Sequence, residues 1–329
     1  MSVGPVVLPA NQPPRFYRGG AAIAALRGEP AASEYVPEDW VASCTTLHGE
    51  PISGLSPLPD GTLLRDAVAA DPAGWLGDRH VARFGADPAL LVKLLDAGQR
   101  LPVHCHPSDS FAGAHFGSRY GKTEAWVVIG AEPGATVHIG FAEDTDADTV
   151  AAWVTRQDSA TMLAALNEVP ISAGDTVFVP AGLPHAIGAG VFIVELQQPT
   201  DLSVTLEWQG FVDDERAGHL GIGFETALGC VDRAGWAGRL DTIVRRGAGD
   251  ALFDGGAEPF FRAVRVHAGA ELAPSFGVLV VTGGAGTLRT ERGDAVPVVR
   301  GSTVAIPHAA GAITLDGDAT AVHCRPPAP

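Results

Sequence analysis

The stretch Gly98–Glu124, GQRLPVHCHPSDSFAGAHFGSRYGKTE, decides the fold and the site of this chain. It contains His104-x-His106 and ends on the carboxylate of Glu124. Because alternate residues of a strand point to the same face, the two histidines are expected to point together, away from the direction of Cys105. Imidazole and carboxylate groups are ligands that divalent transition metals accept. The stretch therefore predicts part of a metal site.

A second stretch, Gly174–His185 (GDTVFVPAGLPH), supplies a third histidine. It reads as a glycine, five residues, Pro-x-Gly, two residues and then the histidine. In the first stretch, likewise, a glycine is followed by five residues and then by His-x-His. These two half-motifs, in this order, resemble those of the cupin family. Seventeen residues separate His106 from Glu124, however, which is more than cupins usually have at this point.

The long gap and several further segments resemble one branch of the cupins, the class I mannose-6-phosphate isomerases. The segments are LLVKLLDA (Leu90–Ala97), GKTEAWVVIGAEPGA, VPAGLPHAIGAGVFIVELQQPTD and RFYRGG (Arg15–Gly20), and the resemblance runs from about Arg15 to Trp208. It implies one divalent metal, most often zinc in that family. The implied ligands, with a histidine in place of the family's glutamine at the first position, are His104, His106, Glu124 and His185.

Composition and patterning predict a mainly β protein. The chain is 46% hydrophobic and contains 41 Gly and 25 Pro, which is typical of many short strands joined by turns. Residues 143–169 instead read as two short helices, interpreted as a structural insertion. Near the C-terminus the second half-motif recurs as Gly301, five residues and Pro307, but Ala309 and Ala312 replace its glycine and histidine. The resemblance thus implies a bicupin, two jelly-roll β-barrels: a metal-binding domain at 1–245 with its helical insert at about 143–169, and a degenerate, metal-free barrel at 257–329.

Charge and cysteine usage restrict the class of partner and compartment. The net charge of −16 argues against nucleic acid, which proteins bind through clustered cations. No apolar run approaches the length of a membrane span, and the proline-rich N-terminus does not resemble a signal peptide. The four cysteines show no paired spacing, which predicts reduced thiols and a cytoplasmic protein.

The lysine count points to candidate catalytic residues. Of 22 basic residues only two are lysine, Lys93 and Lys122, and both lie in or beside the central stretch. A compact ammonium can shift its pKa and move a proton, whereas a guanidinium cannot. We therefore predict that both act in catalysis, with Glu195 as a further catalytic candidate. The predicted substrate-binding residues, all near the ligand histidines or Lys122, are Ser108, Ser110 and Arg119.

The resemblance implies an aldose–ketose isomerase that converts mannose 6-phosphate to fructose 6-phosphate, with a sugar or sugar phosphate as its small-molecule partner. One departure stands against this activity. The family has a catalytic arginine shortly after its Gln-Gln-x-x-Asp segment, and Thr205 occupies that position here. A metal-dependent isomerase or epimerase of a different, unphosphorylated sugar is therefore an alternative. An iron cupin oxygenase and a non-catalytic sugar-binding cupin are weaker alternatives.

Overall fold

The computed structural model describes residues 4–329 and is mainly β, as the sequence predicts. Within these residues the strands form four antiparallel sheets, two in each half of the chain. Sheet 1 has the strand order Val244–Arg245, Thr176–Val179, Glu124–Ala131, Val191–Gln197, Leu91–Asp96 and Glu38–Val41. Sheet 2 has the order Val204–Thr205, His104–Cys105, His185–Ile187, Thr136–Phe141 and Leu166–Pro170.

The other two sheets are built from the C-terminal part of the chain, with one strand from the N-terminus. That strand, Val6–Val7, pairs with Thr303–Ile306 at the edge of sheet 3. Sheet 3 has the order Val6–Val7, Thr303–Ile306, Gly277–Gly283, Thr320–Arg325 and Arg262–His267. Sheet 4 has the order Glu271–Leu272, Ile313–Gly317, Ala285–Thr290 and Ala295–Val299.

The helices are short and lie between the strands. The α-helices of residues 4–329 are Ala21–Arg27, Leu64–Ala70, Pro72–Leu76, Asp78–Phe84, Asp109–Phe116, Ala147–Arg156, Ser159–Ala164, Glu215–Gly218 and Phe224–Ala227. Three 3-10 helices cover Leu228–Cys230, Ala237–Thr242 and His308–Ala310. None of the helices within the described residues has both the length and the apolar character that a membrane span needs.

Sheet 1 is covered on both faces, which explains why its strands read as nearly continuous apolar runs. In the strand Glu124–Ala131, Trp126 and Val128 pack towards sheet 2, with Ile139 and Ile187 from that sheet. The alternate residues of the same strand join a second core that includes residues of sheet 3, and this second core holds the two halves together. A separate core lies between sheets 3 and 4.

The predicted helical insertion forms two helices, Ala147–Arg156 and Ser159–Ala164, but its last residues belong to the strand Leu166–Pro170 of sheet 2. Asp146 caps the first helix by accepting a hydrogen bond from the backbone N–H of Thr149. The helices pack their apolar faces on the outer side of sheet 2, among residues such as Phe141. Their position supports the structural role predicted for them.

The segment between His106 and Glu124 is partly helical. It contains the helix Asp109–Phe116, capped by the hydroxyl of Ser108, which accepts from the backbone N–H of Phe111.

The four cysteines are free thiols in this structure, and the sulfur atoms of Cys105 and Cys230 lie 3.5 Å apart.

Candidate metal centre and its cavity

Three histidines converge at one end of sheet 2. His104 is the direct cross-strand partner of His185, and His106 follows His104 on the same face of the chain. One ligand nitrogen from each of His104, His106 and His185 lies within 4.8 Å of the others, and all three residues are buried. This group could hold a metal ion. The convergence predicted from His-x-His and the second half-motif is therefore confirmed.

Backbone carbonyls fix the orientation of the three rings. The Nδ1 atoms of His104, His106 and His185 lie 2.8, 2.9 and 2.8 Å from the carbonyl oxygens of Pro102, Leu202 and Leu183. Since a carbonyl oxygen accepts only, each Nδ1 carries a proton, and in the neutral ring the Nε2 lone pair points towards the other two histidines. Gly182, in the left-handed region at φ +89°, donates to the carbonyl oxygen of His106 and so ties the two half-motifs together.

Glu124 approaches the histidines from sheet 1. Its Oε2 lies 3.1 Å from Nε2 of His106, and its Oε1 lies 3.4 Å from Nε2 of His185. Oε2 of Glu124 is also ion-paired with Lys122, whereas Nε2 of His185 is buried without a hydrogen-bond partner. Unsatisfied buried lone pairs are costly unless something binds them. Three neutral imidazoles and one carboxylate, all aimed at one point, fit a divalent transition metal.

The protonation states suit ligation. Burial and the positive charge of Lys122 lower the pKa of His106 to about 3. Burial and the two neighbouring histidines lower the pKa of His104 well below its ordinary value. Burial opposes ionisation of Glu124, but Lys122 and His106 hold its pKa well below the ordinary value. His104 and His106 are thus neutral imidazoles beside an ionised carboxylate, which is the form that binds a cation.

Charged residues of sheet 1 form a row beside the metal centre. The cross-strand partners Trp40, Lys93, Glu195 and Trp126 occupy neighbouring strands at one level of the sheet. Nζ of Lys93 lies 3.7 Å from Oε1 of Glu195 and 4.7 Å from the centre of the Trp40 ring. Lys93, which interrupts the apolar run LLVKLLDA, therefore has a charged partner inside the protein, as a buried ammonium requires.

Lys122 contacts both the metal centre and this row. Its Nζ lies 3.1 Å from Oε2 of Glu124, 3.2 Å from Nε2 of His106 and 3.7 Å from Oε1 of Glu195. Lys122 precedes the strand that begins at Glu124, yet the two side chains meet as strand alternation predicts. Burial opposes the charged form, but Glu124 and Glu195 raise the pKa of Lys122 above its ordinary value. Lys122 is therefore held as an ammonium in this cluster of carboxylates.

Glu195 is the candidate proton acceptor of the cavity. It is buried, and its Oε1 has no hydrogen-bond partner. Burial is the main cause that raises its pKa, to about 7; Lys93 opposes this shift and Glu124 adds to it. A carboxylate poised near neutrality and free of hydrogen bonds at one oxygen is suited to accept and return a proton.

Sequence reasoning missed an arginine of the same cavity, Arg15, and its two acidic partners, of which only Glu38 also lines the cavity. Arg15 places Nε 3.1 Å from Glu38 and Nη1 3.2 Å from Asp201, and its side chain is 13% exposed. Glu38 in turn accepts from the hydroxyl of Tyr17 and lies 3.5 Å from Lys93. The RFYRGG segment carried the only sequence signal for Arg15 and Tyr17, as part of the family resemblance, with nothing to show that both side chains turn inward.

The three predicted substrate-binding residues are absent from the lining of this cavity. Ser108 and Ser110 bond to each other at 3.0 Å on the exposed start of the helix Asp109–Phe116. Arg119 donates to the backbone carbonyl oxygens of Arg83 and Phe84. The structure does not bring these three together with the histidines, and their substrate-binding role stays a prediction.

An inner cavity of about 50 Å³ lies against the metal centre and opens into a cleft of about 900 Å³. Arg15, Phe16, Ser203 and Thr205 line both spaces. The inner cavity holds little more than one water molecule, whose share of the liquid volume is roughly 30 Å³. A sugar bound at the histidines would therefore extend into the cleft.

The fold and this site define the chain as a β-sheet protein with a buried histidine–carboxylate group that could hold a metal. No family model matches the chain. It is 38% identical over 140 residues to a mannose-6-phosphate isomerase of Streptococcus mutans, covering 40% of this chain and 41% of the relative. It is 32% identical over 187 residues to a probable mannose-6-phosphate isomerase of Bacillus subtilis, GmuF, covering 56% and 55%. The chain thus matches about half the length of these curated relatives.

Solved structures extend the likeness over nearly the whole chain. The mannose 6-phosphate isomerase of Bacillus subtilis superposes with a TM-score of 0.75 at 22% identity, covering 98% of this chain and 99% of that one. A putative mannosephosphate isomerase of Archaeoglobus fulgidus gives 0.74 at 20% identity, covering 98% of both chains. The chain has the fold of these proteins, and the predicted resemblance to the class I mannose-6-phosphate isomerases is confirmed.

Proposed function

We propose that this chain is a metal-dependent aldose–ketose isomerase that interconverts mannose 6-phosphate and fructose 6-phosphate. The names of its relatives support this assignment. The observation that carries it is the carboxylate of Glu195, whose Oε1 accepts no hydrogen bond, in one buried cavity with Glu124 and His104 of the histidine group. Such a reaction needs a group that moves a proton between C1 and C2 of the sugar and a cation that binds the sugar oxygens.

We assign the metal ligands as His104, His106, Glu124 and His185, and the metal as zinc. The free Nε2 atoms and the ionised carboxylate support the ligand set. A bound divalent ion would supply Lewis acidity that polarises the carbonyl and hydroxyl oxygens of the sugar. His104 provides an imidazole where the family has a glutamine amide, and imidazole binds transition metals more strongly than an amide oxygen does.

Three residues of the chain have separate roles in the proton transfer. Glu195, with its free Oε1 and its pKa near 7, is the base that takes a proton from one sugar carbon and returns it to the next. Lys122 stays charged and donates hydrogen bonds to sugar oxygens beside Glu124. Lys93 holds Glu195 from the other side through its ammonium at 3.7 Å.

The phosphate end of the substrate would lie in the cleft, because the inner cavity is too small for the whole molecule. The cleft offers the guanidinium groups of Arg15 and Arg216, of which Arg15 also lines the inner cavity. We infer that Arg15 provides the guanidinium which the family carries at the position of Thr205. Guanidinium binds phosphate and sugar oxygens through paired donors.

We further infer that the two pairs of sheets are two cupin barrels, the metal-binding one at 1–245 and a degenerate one at 257–329. The recurrence of the glycine–proline spacing at Gly301 and Pro307 supports this division, as does the separate core between sheets 3 and 4. The C-terminal barrel should bind no metal, because Ala309 and Ala312 stand where the half-motif has its glycine and histidine. A cytoplasmic location stays a prediction.

A substrate panel tests the proposal. Purified, zinc-loaded protein is assayed for aldose–ketose interconversion with mannose 6-phosphate, glucose 6-phosphate, free mannose and free xylose. We expect turnover of mannose 6-phosphate that is lost in Glu195→Gln while the metal is retained. Turnover of free sugars alone would overturn the phosphorylated substrate in favour of the unphosphorylated alternative. Turnover of none of them by metal-loaded protein would overturn the isomerase assignment itself.

A further inference from the structure

Three arginines line a second cavity, which shares no residue with the metal cavity. It has a volume of about 490 Å³ and lies between the helix Asp78–Phe84 and sheet 3. The basic residues on its lining are Arg79, Arg262, Arg325, His80 and His308. The whole chain has a net charge of −16, so a cavity lined by positively charged residues is unexpected from the composition. We refer to it as the arginine cavity.

Arg262 and Arg325 face each other without a counter-charge. They are direct cross-strand partners in sheet 3, where like charges opposite each other are destabilising. Neither arginine forms an ion pair within the described part of the chain. The nearby acidic residues are Asp78, on the lining of the cavity, and the exposed Glu258. Burial lowers the pKa of both arginines, and Arg325 lowers that of Arg262 further.

Donors in this cavity also lack partners. Nε of Arg325 and Oγ of Ser275 are buried without a hydrogen-bond partner. Nε of Arg262, by contrast, donates to the carbonyl oxygen of Pro326 at 2.9 Å, which fixes its guanidinium plane. Two guanidinium groups on one face, one of them held in place, together with an unpartnered hydroxyl form a donor set that a multiply charged oxyanion would satisfy.

We propose that the arginine cavity binds a phosphate-bearing small molecule between Arg262 and Arg325. The enclosed volume suits a small molecule, and the acidic surface elsewhere disfavours nucleic acid. The bound anion would neutralise the cross-strand repulsion and so stabilise the folded protein.

The melting temperature of the full chain, measured with and without inorganic phosphate, tests this proposal. The variants are Arg325→Gln and Arg262→Gln, and the matched control is Arg292→Gln, an exposed arginine of the same half of the chain. We expect saturating phosphate to raise the melting temperature of the wild type and the control by at least about 2 °C. The two cavity variants should gain less than half of that shift. In phosphate-free buffer they should melt no lower than the control, because the repulsion is removed.

A second arm separates free phosphate from a phosphate ester as the natural ligand. Glycerol 3-phosphate and inorganic phosphate are titrated calorimetrically into wild type and Arg325→Gln. Tighter binding of the ester in the wild type, lost in the variant, identifies an ester site; equal binding of both, lost in the variant, identifies a free-phosphate site. If phosphate stabilises the wild type and both cavity variants equally, the anion binds elsewhere and the proposal is overturned. The proposal is also overturned if phosphate does not stabilise the wild type.

Discussion

Thr205 is the direct cross-strand partner of His104 and lines the cavity beside the metal centre. Side chains of such a pair lie roughly 5 Å apart, so a long cationic side chain at this position would reach the histidines. Threonine carries no charge, and the guanidinium in this cavity comes from a different part of the chain. The guanidinium of Arg15 lines the same cavity from the N-terminal segment, held between Glu38 and Asp201.

Arg15→Lys tests whether this guanidinium serves the substrate. A lysine keeps the charge but loses the paired donors, so we expect kcat/KM to fall by about 10- to 100-fold, as for one lost charge-assisted hydrogen bond. Steady-state kinetics on the best substrate of the panel measure the effect. Arg18→Lys, a 58% exposed arginine of the same segment, is the control and should keep normal kinetics. Equal kinetics in the two variants would contradict a substrate role for Arg15.

His185→Ala should abolish stable metal binding, because it removes one of four ligands at a site without spare donors. Elemental analysis after dialysis should give about one equivalent of metal for the wild type and close to none for the variant. His115→Ala is the control, since this exposed histidine lies outside the ligand group. A second equivalent in the wild type would contradict the metal-free C-terminal barrel, and retained metal in His185→Ala would contradict the ligand set.

Lys122→Arg should fold and retain metal but lose turnover by about 10²-fold, the size expected when a residue of the proton-transfer step is displaced. The larger guanidinium cannot fill the position 3.1 Å from Glu124 and 3.2 Å from His106 without moving one of them. Lys93→Arg is the matched change on the other side of Glu195, with no contact to the metal ligands, and should lose less. Near-normal turnover in a metal-loaded Lys122→Arg protein would show that Lys122 supplies only charge.

Stability should fall in acid because Glu38 is ionised in the folded protein. Burial opposes its ionisation, but Arg15 and Lys93 depress its pKa below the ordinary 4.5. The unfolded chain therefore takes up a proton first, and the contribution of Glu38, present above about pH 4.5, is lost as pH falls. In Glu38→Gln the acid slope of the unfolding free energy should be shallower, by at most about 1.4 kcal/mol per pH unit.

Urea unfolding at a series of pH values measures these slopes. At neutral pH, Glu38→Gln should also lose about 3–5 kcal/mol, because two buried cations lose a partner. Glu34→Gln removes an exposed carboxylate that pairs with Arg18 and should change neither quantity. Parallel acid slopes in wild type and Glu38→Gln would show that the depressed pKa does not contribute to stability.

Some of the site could be predicted from local patterns in the sequence. His-x-His and the glycine and proline positions around it fix which side chains share a strand face, and this is a property of a few consecutive residues. The two lysines stood out by their scarcity, and Lys93 also interrupts an apolar run, where a charge must find a partner inside the protein. The three histidines, Glu124, Lys93 and Lys122 do lie together, whereas the ligand role of the first four stays a prediction.

Other features needed the register between distant strands. Nothing near Arg15 in the sequence shows that it meets Asp201, 186 positions away, and nothing near Arg262 shows that Arg325 is its cross-strand partner. Equally, Ser108 and Ser110 follow the ligand His106 closely but turn outward, because the chain starts a helix there. The sequence by itself determined the residue types of the metal centre and the β class. Only the tertiary structure decided which charges meet, because pairing between strands depends on how sheets stack and not on local periodicity.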